Sequence, residues 1–167
     1  MEAGKMKAKI CLTEKGLKVF ERAGIDPDSY GPSYNSESAA LDLYNVGDRV
    51  FIPGRNNWNC TEPILVSTGV KVIIPNGFVG LILERGSIVK TGLSVRAGVI
   101  DPGFTGEIFV SFLNVGDRDT IIETGAKMPA QLVVVPCASS FERITDKEYE
   151  RQTKHASRRQ KMLGSTD

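Results

Sequence analysis

In the stretch AGVIDPGFTGE, residues 97–107, a single carboxylate stands where an apolar strand stops: Asp101 follows the β-branched Val99 and Ile100 and precedes the turn pair Pro102-Gly103. Two readings of that position are open. An Asp before Pro-Gly is ordinary turn chemistry, its oxygens taking nearby backbone N–H groups. The same placement also leaves a carboxylate, with an ordinary pKa of about 3.9, ionised at neutral pH and able to orient a water. The other side chains narrow what chemistry is available. His155 is the only histidine, so a Ser-His-Asp or Cys-His arrangement has one possible base and a multi-histidine metal site is excluded. Cys11, Cys60 and Cys137 are widely spaced, odd in number and without a CxxC pair, which points to reduced thiols and against a disulfide framework or zinc site. Acid–base work therefore falls to carboxylates, and any metal is expected to arrive with the substrate. A second candidate lies at the C-terminus, where Arg151, Lys154, Arg158, Arg159 and Lys161 precede Gly164-Ser165-Thr166, small donors that suit a phosphate. Its bland reading is a solvated tail or frayed helix.

The elements that must position these residues are short strands. A chain of 167 residues holds one domain with a sizeable core and is too short for two ordinary ones. With 41% apolar and 25% charged residues and a formal net charge of +1, it carries no whole-protein field to draw in nucleic acid or an anionic membrane. The longest apolar runs, 70–74, 78–83 and 132–135, fall far below the about 20 residues needed to span a bilayer. Residues 1–5 lead into mixed charge and not into an apolar signal core, so an intracellular, cytoplasmic protein is expected. Strands are expected at 7–12, 40–44, 50–52, 64–67, 70–74, 78–84, 99–100, 107–113, 120–122 and 131–136. Residues 13–23 allow a short helix or an extended loop, and 26–38, rich in Pro, Gly, Ser and Asn, reads as a surface loop. Pro75-Asn76-Gly77 reads as a hairpin turn. The pentapeptide NVGDR occurs at 45–49 and again at 114–118, without matching flanks, and reads as two similar turns feeding two strands. Many short strands with regular turn signals point to an all-β barrel or jelly roll.

Four separated stretches then add up. SAALDLY at 38–44, ERGSIVKTGL at 84–93, AGVIDPGFTGE at 97–107 and AQL at 130–132 resemble, in order and spacing, the first four motifs of the trimeric dUTPase family. Residues 158–166 resemble a worn version of its glycine-rich fifth motif. The resemblance implies a distorted jelly-roll-like β barrel over residues 1–150 and a mobile tail over 151–167 that closes over an active site. It implies hydrolysis of dUTP to dUMP and diphosphate with Mg²⁺ as cofactor, limiting uracil in DNA and supplying dUMP for dTTP synthesis. It also implies a homotrimer with shared sites: motifs one, two and four from one chain, the third from a neighbour and the tail from the remaining chain. Neither nucleic acid nor membrane is an implied partner.

Residue by residue, the resemblance gives Asp101 the water that attacks the α-phosphate. Arg85, Gly86 and Ser87 would bind the phosphates, and Gln131 the nucleotide or the phosphate loop. Ala97, Gly98 and Val99, with the strands on either side of them, would form a hairpin whose backbone reads uracil. Phe104, where the family usually has Tyr, would lie under the deoxyribose. Arg158, Gly164, Ser165 and Thr166 would close over the substrate, and Asp42 would lie near the metal through water. The departures are Ala40 for a usual Gly, Gly86 for a Ser, Met128-Pro129 where a basic-aliphatic pair is common, and Arg159 to Leu163 in place of most tail glycines and the Phe that stacks on uracil. Two alternatives follow. One is a dCTP deaminase, whose motif resembles IDPGFTG but whose catalytic Glu is here Ser111; the other is a catalytically weak nucleotide-binding or regulatory protein on the same trimer.

Overall fold

A computed structural model describes residues 7–31, 37–56, 62–138 and 140–155. Arg158, Gly164, Ser165, Thr166 and Cys60 lie outside the described residues, as do most of the insertion at 56–61 and part of that at 13–38. The chain divides after Cys137 into two units, residues 1–137 and 138–167, and each stands by itself.

The first unit is a jelly-roll-like barrel of short strands. β1 (Lys9–Leu12), helix α1 (Glu14–Arg22), β2 (Ala40–Tyr44), β3 (Val50–Ile52), β4 (Ile64–Ser67) and β5 (Val70–Ile73) come first. β6 (Phe78–Glu84), a 3-10 turn over Gly86–Lys90, β7 (Leu93–Val95), β8 (Val99–Ile100), β9 (Phe109–Asn114), β10 (Thr120–Ile122) and β11 (Lys127–Pro136) follow. Period-two alternation sets which side chains enter the core. Val70 and Val72 of β5 point in while Lys71 and Ile73 point out, and Val110 and Phe112 of β9 meet Val66, Leu43, Leu132 and Ile82 in one apolar cluster. The strands form ladders β2-β11-β6-β8, β4-β9-β7, β1-β5 and β10-β3, each pair antiparallel.

Residues 13–23, open between helix and loop in the sequence, form α1 because Thr13 caps it, its Oγ1 accepting the Gly16 N–H at 3.1 Å, and because one face carries the buried Val19 and Phe20. Phe20 meets the rings of Tyr30 and Tyr44 edge-on at 4.9 and 5.3 Å, so the inserted segment has its own small core against β2.

The two NVGDR turns feed strands that pair with each other, β3 and β10. Buried Asn45 donates from Nδ2 to the Asp48 and Ile122 carbonyls at 2.9 and 3.2 Å, and its Oδ1 accepts the Gly47 N–H. Buried Asn114 mirrors it, with Arg118 and Ile52 carbonyls at 2.8 and 3.1 Å and the Gly116 N–H. Each Asn thus ties its own turn to the other repeat's strand. Asn114→Ala is expected to lower stability by about 2 kcal/mol, because it strands buried backbone groups; a urea melt with unchanged midpoint would contradict this.

Pro75-Asn76-Gly77 does turn the chain, with the Phe78 N–H on the Pro75 carbonyl at 3.1 Å, yet it is not a hairpin. β5 pairs with β1 and β6 with β11 and β8, so the turn passes the chain from one sheet to another.

In the second unit, helix α2 (Asp146–Thr153) is capped by Thr145 and buries no residue; its Glu148 and Arg151 pair at 2.5 Å.

Candidate active site

β2, β11 and β6 lie side by side, and their register places Asp42 beside Gln131 and Gln131 beside Leu83. The first, second and fourth motifs therefore meet on one face of one sheet. Gln131 Nε2 donates to the Glu84 carbonyl at 3.0 Å, and the Arg85 N–H to the Pro129 carbonyl at 3.0 Å, which fixes the exit of β6. Gly86 and Ser87 follow, exposed, at the first turn of the 3-10 segment, where backbone N–H groups have no intrahelical acceptor.

Asp42 points to the outer face of its strand yet is only 4% exposed. Its Oδ1 lies 2.6 Å from Arg85 Nε and its Oδ2 3.0 Å from Lys127 Nζ. The Oδ1 contact is an ion pair without a well-directed hydrogen bond. Tyr30 closes the group from the inserted segment, its hydroxyl donating to the Asp42 carbonyl at 2.5 Å. Burial first, and then Tyr44 and the Asp42 charge, push the Tyr30 pKa above its ordinary value, so it stays a donor. The Asp42 carboxylate holds the Lys127 pKa above its ordinary value, so that amine stays charged.

Asp101 lies elsewhere. β8 runs antiparallel to β6 with Ile100 beside Gly80 and Val99 beside Leu81, and Asp101 follows at the end of the strand. Arg85 is five residues beyond Gly80, in the direction away from Asp101, roughly 16 Å at about 3.3 Å per residue. Within one copy, Asp101 and Arg85 therefore stand in different groups. The structure brings together Asp42, Arg85, Gly86, Ser87 and Gln131, and separately Ala97, Gly98, Val99, Asp101 and Phe104.

In this second group, the strands flanking residues 97–99 do not pair. β7 belongs with β9 and β8 with β6, so the segment crosses between sheets where a hairpin was expected. The crossing needs unusual backbone. Ala97 has φ of 57°, a left-handed conformation that costs a residue with a Cβ roughly 1–2 kcal/mol. The Gly98 carbonyl accepts the Ile82 N–H at 2.7 Å, and a Cβ on Gly98 would fall 2.7 Å from the Ile82 carbonyl oxygen, so only glycine fits. The Phe104 N–H closes the turn onto the Asp101 carbonyl at 3.0 Å, and its ring lies on Gly106. Ala97→Gly is expected to raise the melting temperature by relieving the strain while weakening nucleotide binding through a looser loop. A thermal melt and a KM measured on the same protein check both halves.

The two groups share an outward apolar surface. Leu81, Leu83, Val99 and Val133 lie on neighbouring strands facing away from the core; Leu83 and Val99 are 44% and 66% exposed.

Lys127 and Tyr30 were not legible as site residues. Lys127 reaches Asp42 through an irregularity in β11 that sets three residues, Met128 to Ala130, against Leu43 alone. Tyr30 had no local signal, since it reaches the site through the fold.

The chain resembles known proteins in both sequence and fold. The family model described as dUTPase matches residues 30–166. The deoxyuridine 5'-triphosphate nucleotidohydrolase of Dictyoglomus turgidum is 34% identical over 146 residues, 85% of this chain and 93% of that protein. The Staphylococcus bacteriophage 80alpha dUTPase with dUPNHPP superposes with TM-score 0.71 at 22% identity, over 96% of this chain and 98% of that one. The dUTPase of phage phi11 of S. aureus, a structure concerned with coordination of a structural Mg(II) ion, gives TM-score 0.64 at 20% identity over 87% and 99%.

Proposed function

The chain belongs to the dUTPase family, and from that membership we propose the mechanism by which it acts as a dUTP diphosphatase. It hydrolyses dUTP to dUMP and diphosphate. The Asp101 carboxylate accepts a hydrogen bond from a water and orients its lone pair at the α-phosphorus. As the new P–O bond forms, the bond from the α-phosphorus to the bridging oxygen breaks, the diphosphate leaves with that oxygen, and the water's proton passes to Asp101. Positioning and charge neutralisation carry most of the acceleration in phosphoryl transfer. Arg85 and the backbone N–H groups of Gly86 and Ser87 meet the charge on the phosphates. Ala97, Gly98 and Val99 read uracil through backbone groups that cytosine would leave unpaired. Phe104 excludes a 2′-hydroxyl by shape. Gln131 steadies the loop after β6.

A resident metal does not fit the described residues. They contain no group of three His, Cys, Asp or Glu side chains that could hold an ion, and Asp42 is buried between two cations. Mg²⁺ on the triphosphate is part of the substrate.

The observation that carries the reading is the separation of Asp101 from Arg85 along one strand line, with an apolar surface joining them. It supports a homotrimer in which Asp101 of one copy completes the Arg85 group of another. Among the described residues no helix is long and apolar enough to cross a membrane. The reading is tested by incubation with dUTP, dCTP and dTTP plus Mg²⁺, following diphosphate and ammonia separately. Diphosphate from dUTP alone is expected; ammonia from dCTP, or binding of dUTP without turnover, overturns it.

A further inference from the structure

We propose that Lys127, held on one oxygen of the Asp42 carboxylate, is a positioning residue that keeps the Arg85 guanidinium free to bind the phosphate chain. The inference rests on the reading of Arg85 as a phosphate-binding residue. A carboxylate facing one guanidinium favours the bidentate pair, in which two parallel N–H donors lock onto both oxygens. Asp42 does not offer that geometry, because Lys127 Nζ sits 3.0 Å from Oδ2 and leaves Oδ1 to Arg85 Nε at 2.6 Å. The rest of the guanidinium is committed only weakly: Nη1 is 3.4 Å from the Met128 carbonyl, and the side chain keeps 26% of its surface exposed. Two cations against one buried anion leave the group with a surplus positive charge on the face where an anion arrives.

Lys127 is itself fixed from two sides. The irregularity of β11 brings it beside Tyr44, and its amine lies 5.4 Å from the centroid of that ring. Tyr44 packs on Phe20 and Tyr30, and the Tyr30 hydroxyl holds the Asp42 carbonyl. The inserted segment thus reaches the Arg85 group through Tyr30, Tyr44 and Lys127.

Lys127→Met keeps the stem over Tyr44 and removes the charge; Lys127→Arg keeps the charge. Binding of inorganic triphosphate, by calorimetry on the full chain, is expected to weaken about tenfold in Lys127→Met and by less than about threefold in Lys127→Arg. The KM for dUTP should rise with the same pattern while kcat changes little, a split that mere loss of packing does not produce. Triphosphate binding by Lys127→Met equal to that of the unaltered chain, or equal weakening in both variants, overturns the proposal. Turnover of dUTP by the unaltered chain bears on the functional reading alone: its absence, with the triphosphate pattern intact, sinks that reading and leaves this one standing.

Discussion

Asp101→Asn is expected to reduce kcat by about 10²- to 10⁴-fold, the usual contribution of a positioned acid–base group, while KM moves little and the fold is untouched. The amide is nearly isosteric, so the turn closed by the Phe104 N–H on the Asp101 carbonyl is kept, since that bond uses the backbone. What is lost is the negative charge and the capacity to take the water's proton. Asp101 is exposed, so neutralising it strands no buried partner, and the melting temperature should stay within the range of an ordinary surface change. A non-hydrolysable dUTP analogue should bind as before. Normal turnover by this variant would return Asp101 to the turn chemistry that its Pro-Gly context also allows.

The second large effect is expected from Leu81→Glu. Leu81 lies on the outward apolar face between Val133 of β11 and Val99 of β8. The variant places a carboxylate in the middle of the surface that a second copy is proposed to cover, where it would be buried without a partner at a cost of several kcal/mol. Because the side chain points away from the core, the isolated chain should still fold. Sedimentation should show monomers, and dUTP turnover should fall by about two orders of magnitude or more, because Asp101 and Arg85 no longer meet. A monomeric variant with full activity would show that one copy holds a complete site.

Much of the barrel was legible in the sequence because alternation is a local signal. β2, β3, β4, β6, β8 and β10 fall where the β-branched and aromatic runs place them. The deviations have local physical causes. β9 begins at Phe109, two residues later than expected, because Glu107 turns aside, its Oε1 accepting from Ser67 Oγ at 2.5 Å and from the Gly69 N–H at 2.9 Å. β7, three residues before an exposed Arg96, is too short to show a period. Turn chemistry at Pro75-Asn76-Gly77 reveals that the chain reverses but not which strands then pair, since that choice is made by partners distant in sequence. The site divides the same way. Asp42, Arg85, Gln131 and Asp101 were singled out from motif order and type. The ion pairing of Asp42 was not, because Tyr30 comes from an insertion and Lys127 from an irregular stretch of strand, and neither leaves a pattern along the chain.

The claim that one active site draws on more than one copy is tested most directly by mixing two inactive variants, Asp101→Asn and Arg85→Gln, in equal amounts under conditions where subunits exchange. Each alone lacks one half of every site. Random assortment in a symmetric ring gives roughly a quarter of the sites an intact Arg85 from one chain and an intact Asp101 from another. The account predicts recovery of roughly a quarter of the unaltered activity. Mixed oligomers that form, as verified by native mass spectrometry, and yet stay inactive would contradict it.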